Sequence, residues 1–229
     1  MIIEQIYTKC LAQGAYYIES DGEAAVIDPL RETTPYIERA KKNKAKIKYI
    51  FETHIHADFV SGHLDLAKKT AATIIFGPNA NTNYDCYNAS DGETFKIGSL
   101  TLKVMHTPGH TLESVSYLLI DANGKNHALF SGDTLFLGDV GIPDVAQQYK
   151  NLSKEKLAEL LFESLRSKIM PLEDNIILYP AHGAGSACGK NMSKETIGTL
   201  GDQKSSNYAL RSDMTKEEFV NEVLKKTFY

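Results

Sequence analysis

Thr53-His54-Ile55-His56-Ala57-Asp58-Phe59 follows closely on the apolar run Ile47-Lys48-Tyr49-Ile50-Phe51. The run has the composition of a buried strand, so the histidines stand just beyond a strand end. If the extended backbone continues, His54, His56 and Asp58 fall on one face, because successive side chains of a strand point to opposite sides. Two imidazoles and a carboxylate facing one point suit a divalent first-row metal ion such as zinc or iron.

The chain around this stretch has 229 residues, 42% hydrophobic and 24% charged, which is ordinary for a globular enzyme with a core of its own. A net charge of -4 and the lack of any long Lys/Arg cluster argue against nucleic acid as a partner. No apolar run reaches the roughly 18 residues of a membrane span, and residues 1–7 read as a strand rather than a secretory leader. Cys10, Cys86 and Cys188 are scattered and odd in number, which points to free thiols in a cytoplasmic protein; Cys10 and Cys86 are expected to be small buried or inert residues.

In chain order, strands are predicted at 2–8, 15–19 and 24–27, the last ending at Asp28-Pro29. Thr34 and Pro35 predict an N-cap and first-turn proline for a helix to about residue 42. Ser61 is expected to cap a second helix, ahead of a strand at 73–76 and a loop over 77–90. Strands follow at 94–97, 100–105, 115–120 and 127–130. Ser153 caps an amphipathic helix carrying Leu157, Leu160, Leu161, Leu165 and Ile169, and residues 175–179 form another strand. Thr215 and Glu218 make a capping box for a last helix over 215–226, packed through Phe219, Val220, Val223 and Leu224. No repeat or linker interrupts the pattern, so 1–229 is expected to be one domain.

Three further strand ends repeat the grammar of the first. His110 follows Thr107-Pro108-Gly109, Asp133 follows Ser131-Gly132, and His182 follows Pro180-Ala181. Each time a buried strand stops near a Gly or Pro turn and delivers a potential ligand, as suits a site held still by a packed sheet. Taken together, the four ends predict a metal site. His63, His106 and His127 lie on element edges and are expected to be structural.

His54-Ile55-His56-Ala57-Asp58, Thr107-Pro108-Gly109-His110-Thr111, Ser131-Gly132-Asp133-Thr134 and Tyr179-Pro180-Ala181-His182-Gly183 resemble the ordered motifs of the metallo-β-lactamase superfamily. The resemblance runs to about Gly201. It implies an α/β (α+β) fold, a four-layer αββα sandwich of two mixed sheets with the metal at one edge. Where binuclear hydrolases such as glyoxalase II carry a second-metal histidine after the aspartate, this chain has Phe59, which cannot coordinate and would shape the site instead.

The wording His56-Ala57-Asp58-Phe59-Val60-Ser61-Gly62-His63 and the stretch from Tyr179 to Thr196 are most similar to bacterial members of the persulfide dioxygenase branch. That resemblance implies one Fe(II) held by His54, His110 and Asp133, with His56, Asp58 and His182 orienting ligands or waters, or offering an alternative metal site. It implies oxidation of a small thiol persulfide by O2 and water to sulfite and the free thiol, in sulfide detoxification. Coenzyme A, glutathione or another bacterial thiol would be the carrier. Ile142 in Gly138-Asp139-Val140-Gly141-Ile142-Pro143-Asp144 stands where many relatives have arginine, which puts glutathione in question. Cys188, with its thiol pKa lowered by Lys190, is a candidate to hold a persulfide; an incidental loop thiol is the other reading. Relatives often continue into a rhodanese sulfurtransferase domain, expected to be absent here though possible as a partner, and homo-oligomers are common among them. A zinc thioester hydrolase of the glyoxalase II kind and a non-catalytic sulfur-relay module remain as alternatives.

Overall fold

Runs of β-branched and aromatic residues between Gly, Asn and Asp turns form the strands, and helices with one apolar stripe cover them. The computed structural model describes residues 1–143, 152–189 and 191–225. Among these, twelve strands make two six-stranded sheets. The first holds β1 (Ile2–Thr8), β2 (Gln13–Ser20), β3 (Glu23–Ile27), β4 (Lys46–Phe51), β5 (Thr73–Phe76) and β6 (Tyr87–Asn88), in that spatial order. β1 to β3 run antiparallel and β3 to β6 parallel, with α1 (Thr34–Asn43) and α2 (His63–Thr70) as crossovers.

The second sheet is an antiparallel meander of β7 (Thr94–Ile97), β8 (Leu100–His106), β9 (Val115–Ile120) and β10 (Asn126–Gly132). β11 (Ile177–Pro180) then joins parallel to β10, the sense that needs a crossover, and α3 (Lys154–Ser164) lies in it. β12 (Gly198–Thr199) closes the edge, followed by α4 (Leu200–Ser206) and α5 (Lys216–Lys225).

Three apolar layers follow from this arrangement. Tyr16, Ile27, Phe51, Val104, Tyr117 and Phe130 fill the space between the sheets. Tyr36, Ala40 and Leu66 of α1 and α2 pack on the outer side of the first sheet against Val26, Ile50 and Ile74. Leu161 of α3 and Phe219 and Val223 of α5 pack with Leu118, Leu129 and Leu178 on the outer side of the second. The expected four-layer αββα sandwich of mixed sheets is thus the observed one.

Local differences have local causes. Thr33, not Thr34, is the N-cap of α1, and Pro35 keeps its place in the first turn. Gly62 rather than Ser61 occupies the N-cap of α2, although Ser61 Oγ still accepts from His63 N at 3.3 Å. Beyond Ser164 the helix widens into a π-turn, Leu165–Ile169, in which Met170 N reaches Leu165 O at 2.9 Å. Both later caps hold: Ser153 Oγ accepts from Lys156 N, and Thr215 and Glu218 exchange bonds at 2.8 and 3.2 Å. Residue 226, the expected end of the last helix, lies outside the described residues. β6, β12 and α4 carry too few periodic residues to be foreseen. Of the two thiols expected to be buried or inert, Cys10 is exposed and Cys86 partly buried.

Gly109 shows why its turn needs glycine. Its φ is +150°, and a Cβ there would lie 2.4 to 2.6 Å from Leu161 Cβ, Cα and N, so α3 packs directly on the turn that carries His110. Pro108 O also accepts from Ser164 Oγ of α3 at 2.8 Å. Gly109→Ala is expected to destabilise the protein by about 1–3 kcal/mol through overpacking. Thermal unfolding should show Tm falling by roughly 2–12 °C; an unchanged Tm would mean that α3 yields freely.

Candidate metal centre

The histidine stretch does not continue the strand. β4 ends at Phe51, and the next residues form a bridge tied to both sheets. From the first sheet, the buried Asp28 carboxylate accepts from Thr53 N and Thr53 Oγ1, each at 2.8 Å, while Asp28 N donates to Phe51 O at 2.9 Å. From the second, Val115 N donates to Thr53 O at 2.8 Å, Tyr117 OH to Glu52 O at 2.8 Å, and Glu113 Oε1 accepts from Ile55 N at 3.0 Å. The expectation that His54, His56 and Asp58 share one face is therefore corrected: each enters a different group of donors.

The first group is His54, His110 and Asp133, all buried, with donor atoms within 4.8 Å of one another. Thr53 Oγ1 lies 3.0 Å from His54 Nδ1, and the Ile142 carbonyl 2.8 Å from His110 Nδ1, so both rings turn Nε2 toward Asp133. Those Nε2 atoms stand 3.8 and 3.4 Å from Asp133 Oδ2. Burial, and then the neighbouring His56, depress the His54 pKa well below that of a free imidazole, which favours the neutral form a metal requires.

The second group is Asp58, His182 and Cys188. His182 Nδ1 donates to Asp133 Oδ1 at 2.8 Å, so the first two groups share an edge. Asp58 Oδ2 stands 2.9 Å from His182 Nε2. Burial opposes charge on His182, but Asp133 and Asp58 outweigh it and push its pKa up to about 10. Burial likewise opposes charge on Asp133, yet His182 and His54 hold its carboxyl far below the usual range.

The third group was not foreseen. His56 Nε2 lies 3.1 Å from Asp28 Oδ1 and 3.3 Å from Glu52 Oε2. Burial disfavours the imidazolium, but Asp28 and then Glu52 carry the His56 pKa well above its ordinary value. Glu52 Oε1 also accepts from Ser61 Oγ at 2.5 Å and meets His63 Nδ1 at 3.1 Å, so His63 is more than a helix opener. A signal was present in the sequence: Asp28 and Glu52 are acids directly after the apolar ends, Val26-Ile27 and Ile50-Phe51, of β3 and β4.

The donors fit a cation. Asp133 Oδ2 is buried without a hydrogen-bond partner, whereas buried polar atoms ordinarily have one. Two imidazoles and a carboxylate in the first group, with thiol, imidazole and carboxylate in the second, are donors for divalent first-row ions. Cys188 behaves otherwise than expected: burial, and then the Asp133 charge, raise its thiol pKa. Lys190, proposed to lower it, lies outside the described residues, as does Asp144. Phe59 lies against His56, ring centroids 4.3 Å apart at 33°, and Ile142 lines a hollow of about 150 Å³ with His54, Asp58, His110 and Cys188. No helix of the described residues is long and apolar enough to cross a membrane.

Residues 9–82 match the model of the metallo-β-lactamase superfamily. A metallo-β-lactamase structure from Staphylococcus aureus superimposes with a TM-score of 0.89 at 36% identity, covering 100% of this chain and 68% of that one. ETHE1 from Myxococcus xanthus shares the fold, with a TM-score of 0.82 at 24% identity over 100% of this chain and 92% of its own. The cytoplasmic hydroxyacylglutathione hydrolase of Arabidopsis thaliana is 33% identical over 59% of this chain and 54% of its own length. The chain thus spans between 54% and 60% of the first curated relatives it matches. The same hydrolase name recurs among the others. These relatives overturn the expected iron-dependent persulfide dioxygenase activity: the names attached to similar sequences are those of hydrolases, not of oxidoreductases.

His54→Ala and Asp133→Ala are each expected to lose the ion held by the first group, read as bound metal per chain by plasma mass spectrometry of protein dialysed against trace metal. His127→Ala, at the start of β10 and the opposite end of the strand from Asp133, should retain it. Full occupancy in Asp133→Ala would place the ion elsewhere.

Proposed function

The chain belongs to the metallo-β-lactamase superfamily, and on that premise we propose that it is a metal-dependent thioester hydrolase of the glyoxalase II kind. The observation that carries this reading is the adjacency of two donor groups joined by the bond from His182 to Asp133. Phe59 removed an imidazole from the expected second metal position; Cys188 brings a third donor to Asp58 and His182 from further along the chain. His54, His110 and Asp133 would hold one ion and Asp58, His182 and Cys188 a second. His56, whose Nδ1 is buried without a partner and whose ring centroid lies 4.2 Å from that of His54, can add to the first set.

A divalent ion such as zinc would supply Lewis acidity, polarising a thioester carbonyl and acidifying water. The chain's own groups do the rest. Asp28 and Glu52 brace His56, and Ile142 O fixes His110, so the donors are oriented in advance. Asp58 lines the hollow beside Ile142 and Cys188; burial opposes its charge, but His182 keeps it ionised and able to take the proton of attacking water. The leaving thiolate needs no dedicated acid, since a thiol has a pKa near roughly 8.5. Water therefore adds to the acyl carbon as the C–S bond breaks, giving a carboxylate and a free thiol. A cytoplasmic setting belongs to the same proposal, supported by Cys10, Cys86 and Cys188 all being free thiols.

Metal-loaded protein is expected to release thiol from a hydroxyacyl thioester of glutathione without oxygen uptake, to stop after chelation and to resume on adding zinc. Cys188→Ser should lower bound metal from two ions to one and abolish the thiolate charge-transfer band of the cobalt-substituted protein. Thiol release indifferent to chelation, or no release from any thioester, would refute the reading.

A further inference from the structure

A second hollow, of about 330 Å³, opens on the other side of the histidine loop and shares His54 and Ile55 with the smaller one. Phe59, Val60, His63, Leu64, Phe76 and Tyr84 line most of it. Its rim is unusual for a protein surface. Among the described residues seven large hydrophobics are exposed, and Ile55 (42%), Val60 (66%) and Leu64 (49%) are three of them, all on this one opening. Single exposed apolar residues are ordinary, whereas a contiguous group around a cavity marks a surface that a ligand covers. The interior is aromatic: the His63 ring lies 5.0 Å from that of Tyr84 and 5.9 Å from that of Phe76.

Besides His56 Nδ1, which can join the first donor group, one more buried nitrogen of the lining is left over. Glu52 Oε1 faces His63 Nδ1 and already accepts from Ser61 Oγ. A carboxylate can only accept, so the hydrogen of neutral His63 sits on Nδ1 and Nε2 keeps its lone pair. That Nε2 is buried and has no partner. A peptide-like thiol carrier brings many amides and carboxylates that would need several partners here. A hydrocarbon group with one hydroxyl needs a single acceptor.

We infer that this hollow is the acyl subsite. It takes an apolar acyl chain, or an aryl one, whose hydroxyl donates to His63 Nε2, while the reacting carbonyl lies at His54 and the thiol leaves through the smaller hollow. Phe59, at the position where a second-metal imidazole was expected, is here a wall of the substrate pocket. The inference rests on the thioester hydrolase reading and names its substrate class: hydroxyacyl thioesters with a hydrocarbon tail.

The test is a series of acetyl, butanoyl, hexanoyl and 3-hydroxyhexanoyl thioesters on one thiol. In wild-type protein kcat/KM is expected to rise about fourfold per methylene up to hexanoyl, and again with the hydroxyl. Leu64→Glu and Val60→Asp change exposed side chains and should fold normally; each should flatten the length dependence, and His63→Phe should remove the hydroxyl preference alone. Equal kcat/KM for acetyl and hexanoyl in the wild type, or an intact length dependence in Leu64→Glu, would overturn the subsite. If no thioester is hydrolysed the hydrolase reading fails, and the hollow is judged by calorimetric titration with hexanoate and acetate. Tighter binding of hexanoate, lost in Leu64→Glu, would uphold it, and equal binding would overturn it.

Discussion

The site depends on the grip of one buried carboxylate on the bend after β4. Asp28 sits at φ +49°, a left-handed conformation that costs an L-residue roughly 1–2 kcal/mol. In return it takes two hydrogen bonds from Thr53, and hydrogen bonds to a charged acceptor contribute roughly 1.5–3 kcal/mol each, so the conformation is held with a margin. The same carboxylate faces His56. One side chain thus ends the extension of the strand, turns His54 toward the second sheet and anchors the neighbouring imidazole.

The second sheet completes that geometry from the other side. Glu113, Val115 and Tyr117 hold the bend where β9 begins, and the ends of β8, β10 and β11 deliver His110, Asp133 and His182 to the same edge of the sandwich. Burying so many ionisable groups is tolerable only because each faces an opposite charge or a donor. Where histidines outnumber carboxylates, at His54, the ring is driven neutral; where two carboxylates face one ring, at His56, the ring is driven to hold its proton. Neighbouring imidazoles two residues apart are thereby given opposite tendencies, His54 to lose its proton and His56 to keep one on the Nε2 that faces Asp28 and Glu52.

Phe59 illustrates how far a single substitution can mislead. A phenyl ring does remove a donor, and from the sequence that loss pointed to one ion and to oxygen chemistry. The fold brings Cys188, 129 positions further on, to the two donors that remained, and it turns Phe59 against His56 and into the lining of a hydrophobic hollow. With a third donor restored, the position no longer argues against the hydrolases whose names recur among similar sequences.

Most of the architecture was legible in the chain because it is written in local terms: apolar strands of four to eight residues, turn residues between them, and caps such as Ser153 and the Thr215–Glu218 pair. The four ligand-bearing turns could be read for the same reason, since each lies within a few residues of a strand end. What stayed hidden was non-local. Nothing in the spacing of Thr53 to Asp58 says that Asp28 and Glu113 will pull the bend between two sheets, so that three ligands alternating in sequence part company in space. Whether Cys188 and His63 stand idle or face a site is likewise settled by packing, because their partners come from strands and loops far away in the chain. By itself the sequence determined which strands exist and which of their ends carry donors; only the tertiary structure decided which donors share a point, because that depends on hydrogen bonds closed between two sheets.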